Sequence, residues 1–415
     1  MPGRLRIDPR LCAVCRGRGL CGLSYCPVFA RAESIKRLAR VRGNKEVFGA
    51  SPPSVFVGRT GYPVVRAGPA SPPERGDTSV YDLPEEWVGL KLDDILAMRY
   101  SLIIGYERVG VEDVYTPYVM AMQEIALSQR PVDVEMVLAR PPAIRVTFSE
   151  YEPPMGPRAP VEKVRVVQNP AIPRPVEKVY YDTDMRAQEA VTYLYRSGVP
   201  VTSIQRALSV GALGTGKRRR LVPTRWAITA VDKALSDALV DEVKQYPELG
   251  EVQVFARRVH DNLFIAVLMP GAWAFEWMEA WWPGSTWNQF GSEVVVEGDW
   301  EGFMGRDEYP EIGGCYYASR LAVAEYLTRV RRQAVAVLMR EIYPGFNLPI
   351  GVWFVREQLR AMFREGPIAR FSGVREAIRY ILSGAKLGMR WARESVLLRR
   401  AVSQRRLTDF VGGGR

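Results

Sequence analysis

Apolar and polar positions alternate with different periods in different parts of the chain. From Ser51 to Pro73 the run SPPSVFVGRTGYPVVRAGPASPP mixes β-branched residues with Gly and Pro, which predicts short strands joined by tight turns. Ile95 to Ile104 has helical spacing. Residues 131–175 carry ten prolines and the Val-rich stretches AIRVTF and VEKVRVV, which predict an antiparallel β element. The next third is helical. MRAQEAVTYLYRSG, Met185 to Gly198, ends on a glycine stop, and Ala227 to Pro247 is strongly amphipathic. VPVTSIQRALSVGALG lies between them, with Val201, Ile204 and Leu208 on one side and Gln205 and Arg206 on another. It reads as the second half of a helix-turn-helix or as an ordinary helical hairpin.

Strands return in EVQVFARRV, NLFIAVLMP and SEVVVEGDW. Helices are then predicted for YASRLAVAEYLTRVRRQAVAVLMREIYPG, LPIGVWFVREQLRAMF and FSGVREAIRYILSG onward to about Ser403. No fixed-period repeat is present. The pattern predicts an α+β fold, with antiparallel strands in a mixed body and a helical C-terminal third. A hydrophobic content of 47% in 415 residues supplies a sizeable core and excludes wholesale disorder. The longest nearly uncharged apolar run, Phe264 to Trp277, is too short to span a bilayer and is broken by Pro-Gly. MPGRLRIDPR has no apolar targeting segment, so a cytoplasmic protein with no membrane partner is expected.

The formal charge of +11 is unevenly spread. Residues 1–45 hold eleven basic and two acidic residues, and 399–415 hold five basic and one acidic. The 46–398 body, with 41 basic and 43 acidic residues, is close to neutral. A basic end is a common footprint of phosphate-backbone binding, and equally of solubility or an acidic protein partner.

Within the first basic segment, LCAVCRGRGLCGLSYC places Cys12, Cys15, Cys21 and Cys26 in the spacing C-x2-C-x5-C-x4-C. A C-x2-C turn offers two thiolates from one knuckle, and four thiolates close a tetrahedral Zn2+ site that is structural because no position stays open. Two disulfides are disfavoured where thiols are kept reduced, and an iron–sulfur cluster is the other occupant four thiolates can hold. Three segments are expected: a basic four-Cys zinc module at 1–45, an α+β body at 46–400 with a break near 176–200, and a tail at 401–415. Within the first, ARAESIKRLARV in Val28 to Val41 is expected to be a short basic helix. Cys315, outside the cluster, is expected to be a buried core thiol.

The body offers no complete catalytic constellation. GALGTGKR, Gly211 to Arg218, starts like a P-loop but places Arg218 where a magnesium-binding Ser or Thr is required. As a basic, Gly-rich loop, Lys217, Arg218, Arg219, Arg220 and Arg225 are candidates for holding phosphates, against a plainly solvated loop. Arg59, between two glycines in FVGRTGYP, is a further candidate, against a surface Arg on a hairpin. Asp182 and Asp184 suit a Mg2+ site completed by substrate phosphates. A helix cap at Thr183 or Asp184 is the plainer reading. His260 reads as part of a hairpin turn. Trp281, Trp282 and Trp287 are either base-stacking aromatics or core.

The tail QRRLTDFVGGGR places Gln404, Leu407 and Phe410 three apart, which a 3-10 turn would bring to one face. It reads equally as a plug for another protein or as a frayed helix end. The four-Cys knuckle, SPPSVFVGRTGYP, GTGKRRRLVPTRWAITAVD, GGCYYASRLAVAEYL and this tail together make the chain resemble the archaeal Nre family of DNA repair proteins, of the NreA type, over essentially its whole length. The resemblance implies a DNA repair factor with a zinc finger at Cys12, Cys15, Cys21 and Cys26. It also implies binding to the sliding clamp (PCNA) through Gln404, Leu407, Phe410 and Val411. Val411 stands where a second aromatic is usual. No established active site comes with the resemblance. The alternative is a metal-dependent nuclease or nucleotide-processing enzyme using Mg2+ or a nucleotide, with Asp182, Asp184, Arg59 and Lys217 as its likeliest participants.

Overall fold

The computed structural model describes residues 44–142, 156–285, 287–289, 291–346 and 350–403. The four clustered cysteines, the Val28–Val41 helix expectation, AIRVTF and the Gln404–Val411 motif lie outside the described residues. The chain divides into two compact units, and the division falls between Leu235 and Ser236, inside a continuous helix. Residues 176–200 lie within the first unit, where they form a helical hairpin.

In the first unit, six strands are described: β1 (Glu46–Ser51), β2 (Ser54–Val57), β3 (Val64–Ser71), β4 (Ile103–Gly110), β5 (Val132–Leu138) and β6 (Arg158–Val166). Their order is β1-β5-β6-β4-β3-β2, antiparallel throughout except for the parallel β4–β6 pair. The Gly/Pro-punctuated strands expected over 51–73 are present. In β3, Pro69 has no N–H to give to the ladder. The hydroxyl of Tyr118 donates instead to the carbonyls of Ala67 at 2.9 Å and Gly105 at 3.4 Å. Gly68 is required at this point, because a Cβ there would lie 1.7 Å from the Gly105 carbonyl oxygen.

Helix α1 (Leu92–Ser101) stops short of the expected Ile104. Leu102 is extended, and Ile103 and Ile104 open β4, fully buried at the sheet. Helix α2 (Pro117–Leu127) begins with Thr116, whose Oγ1 accepts from the Val119 N–H, and with proline at the first helical position. The helices α3 (Arg174–Tyr181), α4 (Ala187–Arg196) and α5 (Val201–Ser209) follow, with Gly198 at φ +81° in the α4–α5 turn. Helix α6 (Thr224–Val243) crosses the unit division.

The second unit holds β7 (Val252–Val259), β8 (Asn262–Met269), β9 (Ala274–Trp281), β10 (Val295–Glu301), β11 (Val335–Ile342) and β12 (Ala369–Phe371). The order is β10-β9-β11-β8-β7-β12, with β9–β11 parallel and the other pairs antiparallel. Its helices are α7 (Gly314–Val330), α8 (Val352–Glu365), α9 (Val374–Gly384), α10 (Met389–Glu394) and α11 (Val396–Ser403). One sheet face packs Val254, Ile265, Val267, Met278, Val337 and Met339 against Ile378, Ile381, Trp391 and Leu398 of α9–α11. On alternate positions, Phe255 meets Tyr326 of α7 and Phe363 of α8 at ring distances of 5.1 and 5.0 Å, and Phe264 meets Phe354. Segregated strands and helices make the whole α+β, as expected.

Three expectations need correction. VAVLMREI, expected to continue a helix, is the strand β11. It lies between β8 and β9 and is covered on both faces, so its sequence shows no alternation. AFEWMEAW, for which the sequence pattern predicts no element, is β9, for the same reason. Cys315, expected in the core, is half-buried. Trp281 is buried, Trp282 packs partly buried against the core and Trp287 is 39% exposed. His260 and Asp261 form the β7–β8 turn at φ 45° and 54°, the hairpin expected.

Buried carboxylates fasten the C-terminal helices. Glu276 on β9 accepts hydrogen bonds from Ser395 Oγ at 2.6 Å, Val396 N at 2.7 Å and Leu397 N at 2.9 Å, the open amides at the start of α11. Glu341 on β11 accepts from Lys386 N at 3.0 Å, Leu387 N at 2.8 Å and Trp391 Nε1 at 3.0 Å. Burial holds the Glu276 carboxyl above the ordinary glutamate range, and these donors oppose that rise. With the folded-state pKa raised, the native state holds the proton more tightly than the unfolded chain, so ionisation of this group costs stability as pH rises through the folded pKa. Glu276→Ala should lower the stability of the second unit by about 2–4 kcal/mol, by orphaning two buried amides and opening a cavity. Differential scanning calorimetry checks this, with Glu297→Ala on the exposed face of β10 expected within about 0.5 kcal/mol of wild type.

Candidate nucleic-acid interface

The basic Gly-rich segment is the α5–α6 connection, so the P-loop's strand–loop–helix context is missing. Its conformation is set from below. Gln123 of α2 is buried and donates through Nε2 to the carbonyls of Val114 at 3.2 Å and Val210 at 3.0 Å, and its Oε1 accepts from the Tyr180 hydroxyl at 3.0 Å. Burial pushes the Tyr180 hydroxyl above its ordinary range, with Arg219 pulling the other way, so Tyr180 stays a donor. One buried amide therefore joins α2, the end of α5 and α3. Gly211 and Gly214, at φ +70° and +101°, then turn the chain back on itself.

Arg219 differs from its neighbours and corrects the expectation that it would grip phosphate. It is 7% exposed. Its Nε donates to Gly214 O at 2.9 Å, Nη1 to Tyr180 O at 2.8 Å, and Nη2 to Val179 O at 3.2 Å and Asp182 O at 3.0 Å. Three of these carbonyls stand at the C-terminal end of α3, where unpaired oxygens carry the negative end of the helix dipole. The planar fork of Arg219 satisfies them together, and the Gly216 amide adds a bond to Thr183 O at 2.9 Å.

With Arg219 turned inward, Lys217, Arg218 and Arg220 face outward, all three exposed. Arg220 reaches Glu112 only at 3.9 Å, and Glu112 is itself 79% exposed. Asp182 and Asp184 lie at the edge of this loop. Asp182 Oδ1 accepts from Asp184 N at 3.0 Å and Met185 N at 2.9 Å, so it closes a turn. The cap of α4 is formed differently from expectation. It begins at Arg186, whose amide donates to Glu189 Oε2 at 3.1 Å. Asp184 is exposed. Among the described residues no three His, Cys, Asp or Glu side chains converge to hold a metal.

Arg59 also lies at this edge. The chain runs from Arg59 through the cis Tyr62–Pro63 bond into β3. Val111 N donates to Pro63 O at 3.0 Å, and Leu221 N to Val111 O at 2.7 Å, so the Arg59 turn, the end of β4 and the exit of the basic loop lie side by side. Val57 N donates to Thr224 Oγ1 at 2.9 Å at the start of α6. This places Arg225 and Trp226 beside the turn, with the Tyr62 and Trp226 rings 5.4 Å apart. Fold topology thus brings Arg59 together with Lys217, Arg218, Arg220 and Arg225, more than 150 residues later in sequence, onto one face of the first unit.

Sequence reasoning missed three features of this face. Tyr62 and Trp226 are each 45% exposed and Tyr115, whose hydroxyl donates to Gly216 O at 3.4 Å, is 59% exposed. Arg66 and Arg108 are exposed and directly opposed in the β3–β4 register. The period-2 pattern VVRA of β3 was the available signal for Arg66, since its neighbours Val65 and Ala67 are buried. The helix-turn-helix alternative is corrected: Gln205 and Arg206, which a recognition helix would offer to bases, are buried. Gln205 donates to Asp232 at 3.0 Å and Arg206 to the carbonyls of Pro52 and Pro53 at 3.0 and 2.8 Å. A separate cavity of about 780 Å³ in this unit is lined by a mixture of prolines and polar residues, Arg206 and Glu86 among them, and shares no residue with the basic face.

Fold and face define an α+β protein with a cation- and aromatic-bearing surface on a near-neutral body. Residues 20–288 match the family described as Archaeal Nre, N-terminal, and residues 301–410 match Archaeal Nre, C-terminal. The chain belongs to the archaeal Nre family. It is 48% identical over 401 residues to the DNA repair protein NreB of Archaeoglobus fulgidus, covering 96% of this chain and all of that protein. It is 37% identical to the DNA repair protein NreA of the same organism over 86% of this chain and 89% of that one. Against the DNA repair protein NreA of Haloferax volcanii, identity is 37% over 80% and 81%. No solved structure matches the chain. Among the described residues, no helix is long and apolar enough to cross a membrane.

The two kinds of arginine in the loop should separate by mutation. Arg219→Ala leaves the carbonyl end of α3 unpaired and should destabilise the first unit by about 2–4 kcal/mol, whereas Arg218→Ala should stay within about 0.5 kcal/mol of wild type. Chemical denaturation of the two variants decides this. Equal, small effects would show that the Arg219 fork is dispensable.

Proposed function

We propose that this protein is a DNA repair factor that engages DNA through the basic face of its first unit. The observation that carries the reading is the gathering of Arg59, Lys217, Arg218, Arg220 and Arg225 on one face of a body whose net charge is near zero, in a chain belonging to a family whose relatives are named DNA repair proteins. Cations kept at the surface and concentrated on one side raise the local potential, and a polyanion answers that arrangement. The basic segment at 1–45 extends the charge. The C-x2-C-x5-C-x4-C spacing supports a structural Zn2+ held by Cys12, Cys15, Cys21 and Cys26, which would fold a segment too short to bury its own core.

The second part of the reading is recruitment. Gln404, Leu407 and Phe410 repeat every three residues, and Arg405 and Arg406 between them favour an acidic partner surface. The sliding clamp is the partner this pattern fits. Helix α11, fastened through Glu276, is described as far as Ser403, the residue that precedes the motif in sequence. A tether of this kind raises local concentration, so the DNA-binding face need not be strong by itself.

Changing Lys217, Arg218 and Arg220 together to Ala should weaken binding to a 20-base-pair duplex carrying a single-stranded overhang. It should also flatten the slope of log K against log salt by about 0.7–0.9 for each phosphate that is no longer neutralised. Fluorescence anisotropy between about 50 and 200 mM salt measures both. An unchanged slope would remove the loop from the interface. For the tail, a peptide spanning Arg400–Arg415 should bind the cognate sliding clamp with micromolar affinity in calorimetric titration, and Phe410→Ala should abolish the heat. Absence of binding by both peptides would return Leu407 and Phe410 to an intramolecular role.

A further inference from the structure

We infer that the basic face is built for single-stranded DNA, with Tyr62 and Trp226 as a platform on which unpaired bases stack. This rests on the DNA-binding reading above and adds the strand class to it. Trp226 and Tyr62 each keep 45% of their surface exposed, whereas Trp87, in the same unit, is almost completely enclosed. Both residues are fixed in place. Trp226 N donates to Pro223 O at 2.7 Å in the first turn of α6, and Tyr62 N to Arg59 O in its own turn. The rings sit 5.4 Å apart at 51°, so each supports the other while much of both stays open to solvent. A rigid exposed aromatic pair loses little conformational freedom on binding, and each ring suits any base, because every base has a π-face.

The cations around the pair supply the backbone half of the recognition. Arg59 is three residues from Tyr62, and Arg225 adjoins Trp226. Arg66 and Arg108 face each other across the β3–β4 ladder two strand positions beyond Val64, both exposed, with no ion pair to either among the described residues. Like charges directly opposed across strands repel and destabilise a sheet. A phosphodiester strand passing the ladder would turn that repulsion into attraction. In a duplex the bases stack on one another and offer only their edges, so two ring faces beside a cation track have a use only when the bases are unpaired.

The test uses the full chain and three probes: a twelve-residue oligothymidylate, an abasic strand of the same length and charge, and a blunt duplex. Wild type should bind oligothymidylate about five- to a hundredfold more tightly than the abasic strand, the range expected for one stacked base. Trp226→Ala should lose that preference while keeping its affinity for the abasic strand, and Trp226→Phe should retain most of it. Tyr62→Ala is the second variant, in case Trp226→Ala also lowers the melting temperature. Equal affinity of wild type for the two single strands, tighter binding of the duplex, or equally weakened binding of both strands by the correctly folded variants would overturn the inference. In each of those results DNA still binds with a salt slope, so the DNA-binding reading survives. If none of the three probes binds, that reading falls first and takes this one with it.

Discussion

A guanidinium buried at the carbonyl end of a short helix governs the shape of the candidate interface. Arg219 meets the carbonyl oxygens of Val179, Tyr180, Asp182 and Gly214 through three nitrogens, and so pairs oxygens at the end of a helix that its own amides do not reach. The consequence reaches the residues on either side. Because Arg219 points inward, extended backbone at 219 sends Arg218 and Arg220 outward. The loop's remaining anchors, the Gln123 amide below and the Gly216–Thr183 bond at its edge, hold the same conformation from other directions. The charge run is thus divided by geometry into one cation that holds the fold and three that face outward.

The second unit applies the opposite sign to the opposite helix end. Glu276 and Glu341 project from the central strands β9 and β11 and take up the open amides at Val396–Leu397 and Lys386–Leu387. A buried carboxylate is costly by itself, and three donors at Glu276 and four at Glu341, the Tyr343 hydroxyl among them, offset that cost. Arg340 on β11 pairs with Glu279, its register partner on β9, at 3.0 Å, and with Asn262 at 2.9 Å. The sheet therefore carries buried polar groups on both of its faces. Glu276 and Glu341, on the face that packs α9–α11, fix where α10 and α11 dock in a way that apolar packing alone would not, while Arg340 and Glu279 pair on the opposite face beside Phe264 and Phe354.

Much of this was legible in the sequence where local physics decides the outcome. Gly and Pro punctuation over 51–73 marks turns whatever the surroundings. The amphipathic period of Ala227 to Pro247 and the glycine stop at Gly198 mark helices for the same reason. VAVLMREI was not legible because a strand covered on both faces loses its period-2 signature and joins the preceding helical pattern without a break. Ile103 and Ile104 merge with the pattern of α1 through the same lack of contrast. At the interface, the cation types were readable but not their directions. No feature of GTGKRRRL distinguishes Arg219 from Arg218, since the distinction lies in carbonyls of a helix some forty residues earlier. Trp226 and Tyr62 were invisible as a pair because their meeting depends on the Val57–Thr224 bond, which spans 167 residues.

The distribution of charge connects these two scales. A body with 41 basic and 43 acidic residues over 46–398 could scatter both signs evenly and remain soluble. In the second unit acids and bases are instead paired within the fold, as in Arg320 with Glu301 and Asp237, and Arg360 with Glu325 and Glu357. In the first unit several arginines stand exposed beside one another, with Glu112 as a distant counter-ion. Net neutrality then coexists with a local cluster of exposed cations, and exposed rings lie beside it. Under the proposed reading, a protein held near DNA by a tether would gain from that arrangement. A weak, sequence-tolerant grip on unpaired bases would let it sample a strand and release it, while the tether, not the grip, would set how long it stays.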